Sequence, residues 1–150
     1  MNAHIQEIIR IIQDTIPLNN WSKIRFTASV VNSIVDFNAY YTISVTDSWT
    51  EFDIFDLDYV NQNSETNNAL NYVLSFREED YKQNPSRGAF YSLTLDIDRD
   101  NPYKLHIDYK NKPTFSIMTP DSFFMEDIRL FPRTKSNIPD WLQALLVNRG

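Results

Sequence analysis

Near the start of the chain Ile5, Ile8, Ile9, Ile12 and Ile16 recur at helical spacing, with Gln6, Glu7, Arg10, Gln13 and Asp14 on the opposite side. Pro17 ends the pattern, because it has no backbone donor and disfavours helix in the residue before it. Such a stripe has to be buried, so this helix is expected to dock on a sheet. The next residues supply one. Ile24, Phe26, Ala28 and Val30 alternate with Arg25, Thr27 and Ser29; after a turn at Asn32-Ser33, Val35, Phe37, Ala39, Tyr41 and Ile43 alternate with Asp36, Asn38, Tyr40, Thr42 and Ser44. Period two with a polar opposite face suits antiparallel strands packed on one side. Another turn at Asp47-Ser48 leads to a third strand that runs into a loop within 51–58.

The polar stretch 61–68 breaks the strand pattern, and Ser64 is positioned to cap a helix over about 65–82. Ala69, Leu70, Tyr72, Val73, Leu74 and Phe76 form its buried side, while Arg77, Glu78, Glu79 and Asp80 read as largely solvated. Asn84-Pro85-Ser86-Arg87-Gly88 stops it. A hairpin follows: Tyr91, Leu93, Leu95 and Ile97 alternate with Ser92, Thr94, Asp96 and Asp98, and Tyr103, Leu105, Ile107 and Tyr109 with Lys104, His106, Asp108 and Lys110. Asp121 or Ser122 is placed to cap a short helix carrying Phe123, Phe124 and Ile128. A last helix begins at Pro139 and carries Trp141, Leu142, Leu145 and Leu146. No repeat or linker divides residues 1–150. The expected fold is one α+β domain, an antiparallel sheet of about five strands with helices packed on one face.

Composition narrows the chemistry. The net charge of −6 opposes binding to nucleic acid or to anionic membrane surfaces and favours basic partners. There is no cysteine, so disulfides, thiolate metal sites and thiol catalysis are excluded. The N-terminal residues do not form a secretory signal and no apolar run approaches the ~20 residues of a membrane span; a soluble, cytoplasmic protein is expected.

Asp96, Asp98 and Asp100 resemble the start of a calcium loop, but the sixth position is Asn101 and the twelfth Ile107, where glycine and a bidentate acid belong. Glu51, Asp53, Asp56 and Asp58 form a second acidic group, better read as solvated surface or a docking patch than as a catalytic carboxylate pair. His106 falls on the polar side of a strand where Asp96 or Asp98 could face it, with Ser92 nearby. That arrangement is the one opening for a small enzyme, yet no Gly-x-Ser-x-Gly turn presents the serine. No phosphate loop, dinucleotide fingerprint or cofactor motif is present. Tyr40 points with the polar set and, beside Asp36, Asn38 and Asp53, has the character of a binding hot spot.

The runs Gly88-Ala-Phe-Tyr-Ser-Leu-Thr-Leu-Asp-Ile-Asp, Tyr103-Lys-Leu-His-Ile-Asp-Tyr, Asp127-Ile-Arg-Leu-Phe-Pro-Arg and Ile138-Pro-Asp-Trp-Leu resemble the YezG-like immunity proteins and antitoxins of bacterial polymorphic and contact-dependent toxin systems. The opening helix and Trp21 fit the same layout; the hairpin turn Asp100-Asn-Pro departs from it in lacking glycine. The resemblance implies a non-catalytic, acidic protein, without cofactor or metal, that binds a cognate toxin, often a basic nuclease, and neutralises it by stoichiometric contact. Asp36, Tyr40, Asp53, Asp56, Asp96, Asp98 and His106 are the expected partner-binding residues. The alternatives are the His106 enzyme and a general interaction module, including a homodimer through a sheet edge.

Overall fold

The computed structural model describes residues 2–43, 48–54 and 65–148. Helix α1 (Ala3–Thr15) starts on Asn2, whose Oδ1 accepts the backbone N–H groups of His4 and Ile5 at 2.8 and 3.3 Å. Helix α2 (Glu65–Gln83) lies against it, and Glu79 accepts from Asn2 Nδ2 at 2.9 Å and sits 3.1 Å from His4 Nε2. The start of the first helix is therefore fastened to α2. Its buried side is Ile5, Ile8, Ile11 and Ile12, with Ile9 and Ile16 only partly covered. Each fully buried isoleucine contributes roughly 1.5–3 kcal/mol relative to exposure.

Strands β1 (Trp21–Val31), β2 (Ile34–Ile43), β3 (Thr50–Phe52), β4 (Ser92–Asp98) and β5 (Asn101–Asp108) form an antiparallel sheet in the order β3-β2-β1-β4-β5. The two-residue turn between β1 and β2 holds Asn32 at φ 55°, a left-handed conformation that asparagine tolerates better than most residues. Alternation sends Ile24, Phe26, Ala28, Leu93 and Leu95 to the face covered by α1 and α2, where they meet Val73, Phe76 and Phe90 in the main core. Of the stretch 51–58, only Glu51 and Phe52 are strand; Asp53 and Ile54 follow the strand's end, and residues 55–58 and the Ser64 cap lie outside the described residues.

Helices α3 (Asp121–Leu130) and α4 (Asp140–Asn148) close the chain. Asp121 is the first residue of α3 rather than its cap; Pro120 stands in the cap position, with no side-chain bond. Together with Phe115 and Trp141 these helices build a second, smaller core around Val31, Tyr91, Phe124 and Leu142. Val31 and Ile34 have the opposite parity to the main-core residues of their strands, so this lobe begins on the other face of the sheet, at the end where β1 turns into β2.

Arg77, expected among solvated residues, is only 1% exposed and ties the two cores together. It shares a helix face with Ala69, Val73 and Phe76, and its charge is tolerated there because Asp127 on α3 meets it through two bonds of 2.6 and 2.9 Å. Arg77 Nε donates to Phe90 O at 2.6 Å, and Asp127 Oδ1 also accepts the Asn32 N–H at 2.7 Å. Arg133 is a second tie. It donates to the backbone oxygens of Ala89, Tyr109 and Asn137 and lies 5.0 Å from the Tyr91 ring. Gly88, at φ 93°, leaves room for it: a Cβ there would stand 2.1 Å from Arg133 Nε.

Candidate functional site

The face of the sheet not covered by α1 and α2 carries an ordered set of polar side chains. Cross-strand pairing places Glu51, Tyr40, Arg25, Asp96 and Lys104 in one row from the β3 edge to the β5 edge. The next row is Asn38, Thr27, Thr94 and His106, and a third, nearest the C-terminal lobe, is Asp36, Ser29, Ser92 and Asp108. Arg25 Nε donates to Asp96 Oδ1 at 2.7 Å, and both side chains remain well exposed, at 48% and 40%. The Arg25 guanidinium also lies 5.2 Å from the ring of Trp49, which is itself 43% exposed.

These residues line a shallow groove of about 640 Å³, whose walls include Lys23, Arg25, Trp49, Asp96, Asp98 and Lys104. A second groove of about 520 Å³ adjoins it at the β4–β5 turn, beside Asp98, Arg99 and Asp100. There Arg99 Nε donates to Trp21 O at 2.7 Å and its guanidinium stacks 4.1 Å from the Trp21 ring, which holds a turn that has no glycine. The grooves mix both signs of charge. Along the sequence the surplus acidity falls in one stretch: of its 20 carboxylates, six stand in residues 47–65, where there is no Lys or Arg, and the other 14 match the 14 basic side chains.

The structure separates the expected site residues. Tyr40, Asp96 and Asp98 lie on the open face, and Asp53 is exposed just beyond β3. Asp36 is half-buried, its Oδ2 accepting the Ser116 N–H at 2.6 Å, so it anchors the segment leading to α3. Asp56 lies outside the described residues. His106 is at the β5 edge, and its partner across the hairpin is Thr94; Asp96 faces Lys104 and Asp98 faces Asn101. The anticipated His106–Asp96 or His106–Asp98 couple is thus not formed across the strands, because the register is offset from the one that would oppose them. The carboxylate on the same face of β5 is Asp108. Burial alone would raise its pKa, but hydrogen bonds from the Asn111 backbone and side chain and the Lys110 backbone hold it below the ordinary range.

Trp49, Arg25, Lys23 and Lys104 were not singled out by sequence. Each belongs to the polar alternation or to a polar turn, and only the strand order shows that they converge. Perturbed groups lie away from the grooves: burial, then the hydrogen bond to Asp80, pushes the Tyr109 hydroxyl above its ordinary range. Burial pushes the Tyr91 hydroxyl up to about 12, against the opposing influence of Arg133, and burial lowers the pKa of Arg133 itself. Among the described residues no three His, Asp or Glu are placed to hold a metal ion. No described helix is long and apolar enough to cross a membrane.

The sequence runs that carry the family resemblance are mainly structural. Tyr81 donates to Pro132 O at 2.5 Å, Arg133 makes the contacts above, and Trp141 Nε1 donates to Lys110 O at 2.6 Å. No curated protein matches the chain. The family model "Immunity protein YezG-like" matches residues 1–134, a span that includes Phe131-Pro-Arg and ends before Ile138-Pro-Asp-Trp. With so much of its length matched, the chain belongs to the YezG-like immunity protein family.

Proposed function

We propose that this protein is an immunity protein that binds a cognate bacterial toxin and neutralises it by one-to-one contact, without turnover. Family membership over residues 1–134 is the observation that carries this reading. The partner fits a toxin of the polymorphic or contact-dependent kind, encountered in the cytoplasm. A basic toxin, such as a nuclease that grips phosphates, suits the carboxylate-rich sequence of residues 47–65, whose negative charge would speed encounter with a cationic surface.

The partner-binding surface proposed is the open sheet face from the β3 edge to β4: Tyr40, Trp49, Asp53, Asp96 and Asp98, with Arg25 between them. An exposed tryptophan beside an arginine is the kind of pair that dominates interface energetics, and the shallow, mixed-charge grooves suit a protein surface better than a small molecule. Asp36 has its structural bond to Ser116, and His106 stands apart at the far edge.

Co-expression tests the reading. Cells producing the toxin encoded beside this chain are expected to survive when the chain is also produced and to die without it. Death in both cases, with the chain present in soluble form, sinks the proposal.

A further inference from the structure

We propose that β5 is a self-association edge, along which two copies of this chain pair antiparallel with His106 opposite His106 of the second copy. This goes beyond toxin binding and does not depend on it. β5 stands last in the sheet order and is bonded on one side, to β4; among the described residues nothing pairs with its outer side. It runs eight residues, whereas β3 at the other edge runs three. A long edge presents a row of unpaired N–H and C=O groups, a template for another strand.

The side chains specify which strand fits. Tyr103, Leu105, Ile107 and Tyr109 pack toward the main core, while Lys104, His106 and Asp108 alternate with them on the other face. A two-fold contact has to be self-complementary. With His106 opposite itself, Lys104 of each copy meets Asp108 of the other, and Leu105 meets Ile107. Sliding by one residue sets the apolar face against the polar one. With Leu105 opposite itself the Lys104–Asp108 match is lost, and with Ile107 opposite itself Lys104 meets Lys110. Of these alignments, only the one centred on His106 pairs opposite charges at Lys104 twice and keeps apolar against apolar. The Asp108 carboxylate is already positioned by the backbone N–H groups of Lys110 and Asn111, at 2.9 and 3.0 Å.

The 150-residue chain tests this directly, since it has no cysteine. Sedimentation equilibrium of the unaltered chain over a wide concentration range is expected to show dimer; a monomer at every concentration overturns the proposal. His106→Cys places one thiol on the two-fold axis, where directly opposed strand residues approach disulfide range. Mild oxidation is expected to give a disulfide-linked dimer far faster than for Ser33→Cys, at the exposed turn between β1 and β2; equal rates overturn the register. Lys104→Asp replaces two opposite-charge contacts with two like-charge ones and is expected to weaken the dimer by about tenfold. A dimer indifferent to that change contradicts the pairing.

Discussion

Two ion pairs of the same chemistry do different work at the two ends of this sheet. Arg77–Asp127 is 1% and 2% exposed, bidentate, and further bonded to Phe90 O and the Asn32 N–H. Arg25–Asp96 is about half exposed, joined through a single short contact, and lies over Trp49. A buried pair cannot lose one partner without leaving a charge in a low-dielectric interior, so it locks the lobe to the sheet. An exposed pair exchanges its partners for water or for another protein at little cost. The lobe therefore reads as scaffold and the open face as the surface available for binding.

The largest expected effect breaks the buried side of that contrast. Asp127→Ala strands Arg77 and is expected to cost ~3–5 kcal/mol in urea unfolding, enough to depopulate the folded state of a small domain. Gly88→Ala comes next. A Cβ at φ 93° carries strain of about 1–3 kcal/mol, and Arg133 Nε has to move from a position 2.1 Å away; thermal unfolding should show the loss.

Tyr91→Phe sharpens the comparison, because the Tyr91 hydroxyl is buried without a hydrogen-bond partner among the described residues. Removing it is expected to leave stability at neutral pH unchanged or raise it by up to roughly 1–3 kcal/mol. The alkaline limb should change as well. Because burial raises the Tyr91 pKa from 10.0 to about 12, the unfolded chain ionises first, and the fold loses stability as pH climbs from 10 through about 12. The phenylalanine variant should lose less stability across that window, as followed by circular dichroism. Smallest of all, Arg25→Ala is expected to shift stability by less than ~1 kcal/mol. The same variant should nonetheless weaken toxin binding, and a normal melt with impaired binding is the signature of a surface that is functional rather than structural.

The elements themselves were legible. Period two named β1, β2, β4 and β5, and the isoleucine stripe named α1, because each pattern answers to one buried face. Arg77 shows where that legibility stops. Its place on the Ala69–Val73–Phe76 face was visible in the helical spacing, but the charge argued for solvent until Asp127, fifty residues later, supplied the partner. His106 shows the same limit in a strand. Its face was evident, whereas its neighbour depended on a hairpin register that is offset by a bulge between Asp96 and Asp98. The open-face groove was hidden for the same reason, since Trp49, Arg25 and Lys104 come from separate stretches and meet only through the strand order. Phe131-Pro-Arg, conspicuous in sequence, proved to fasten the lobe.

The central claim is neutralisation by binding at the open face, and titration of the toxin's activity with the purified chain tests it most directly. The account predicts inhibition that is complete at one equivalent of chain per toxin, with the equivalence point lost or shifted for a Trp49→Ala, Asp96→Lys variant that still unfolds cooperatively. Neutralisation by a small fraction of an equivalent, as a catalyst would achieve, or an unchanged titration by that variant, would contradict it.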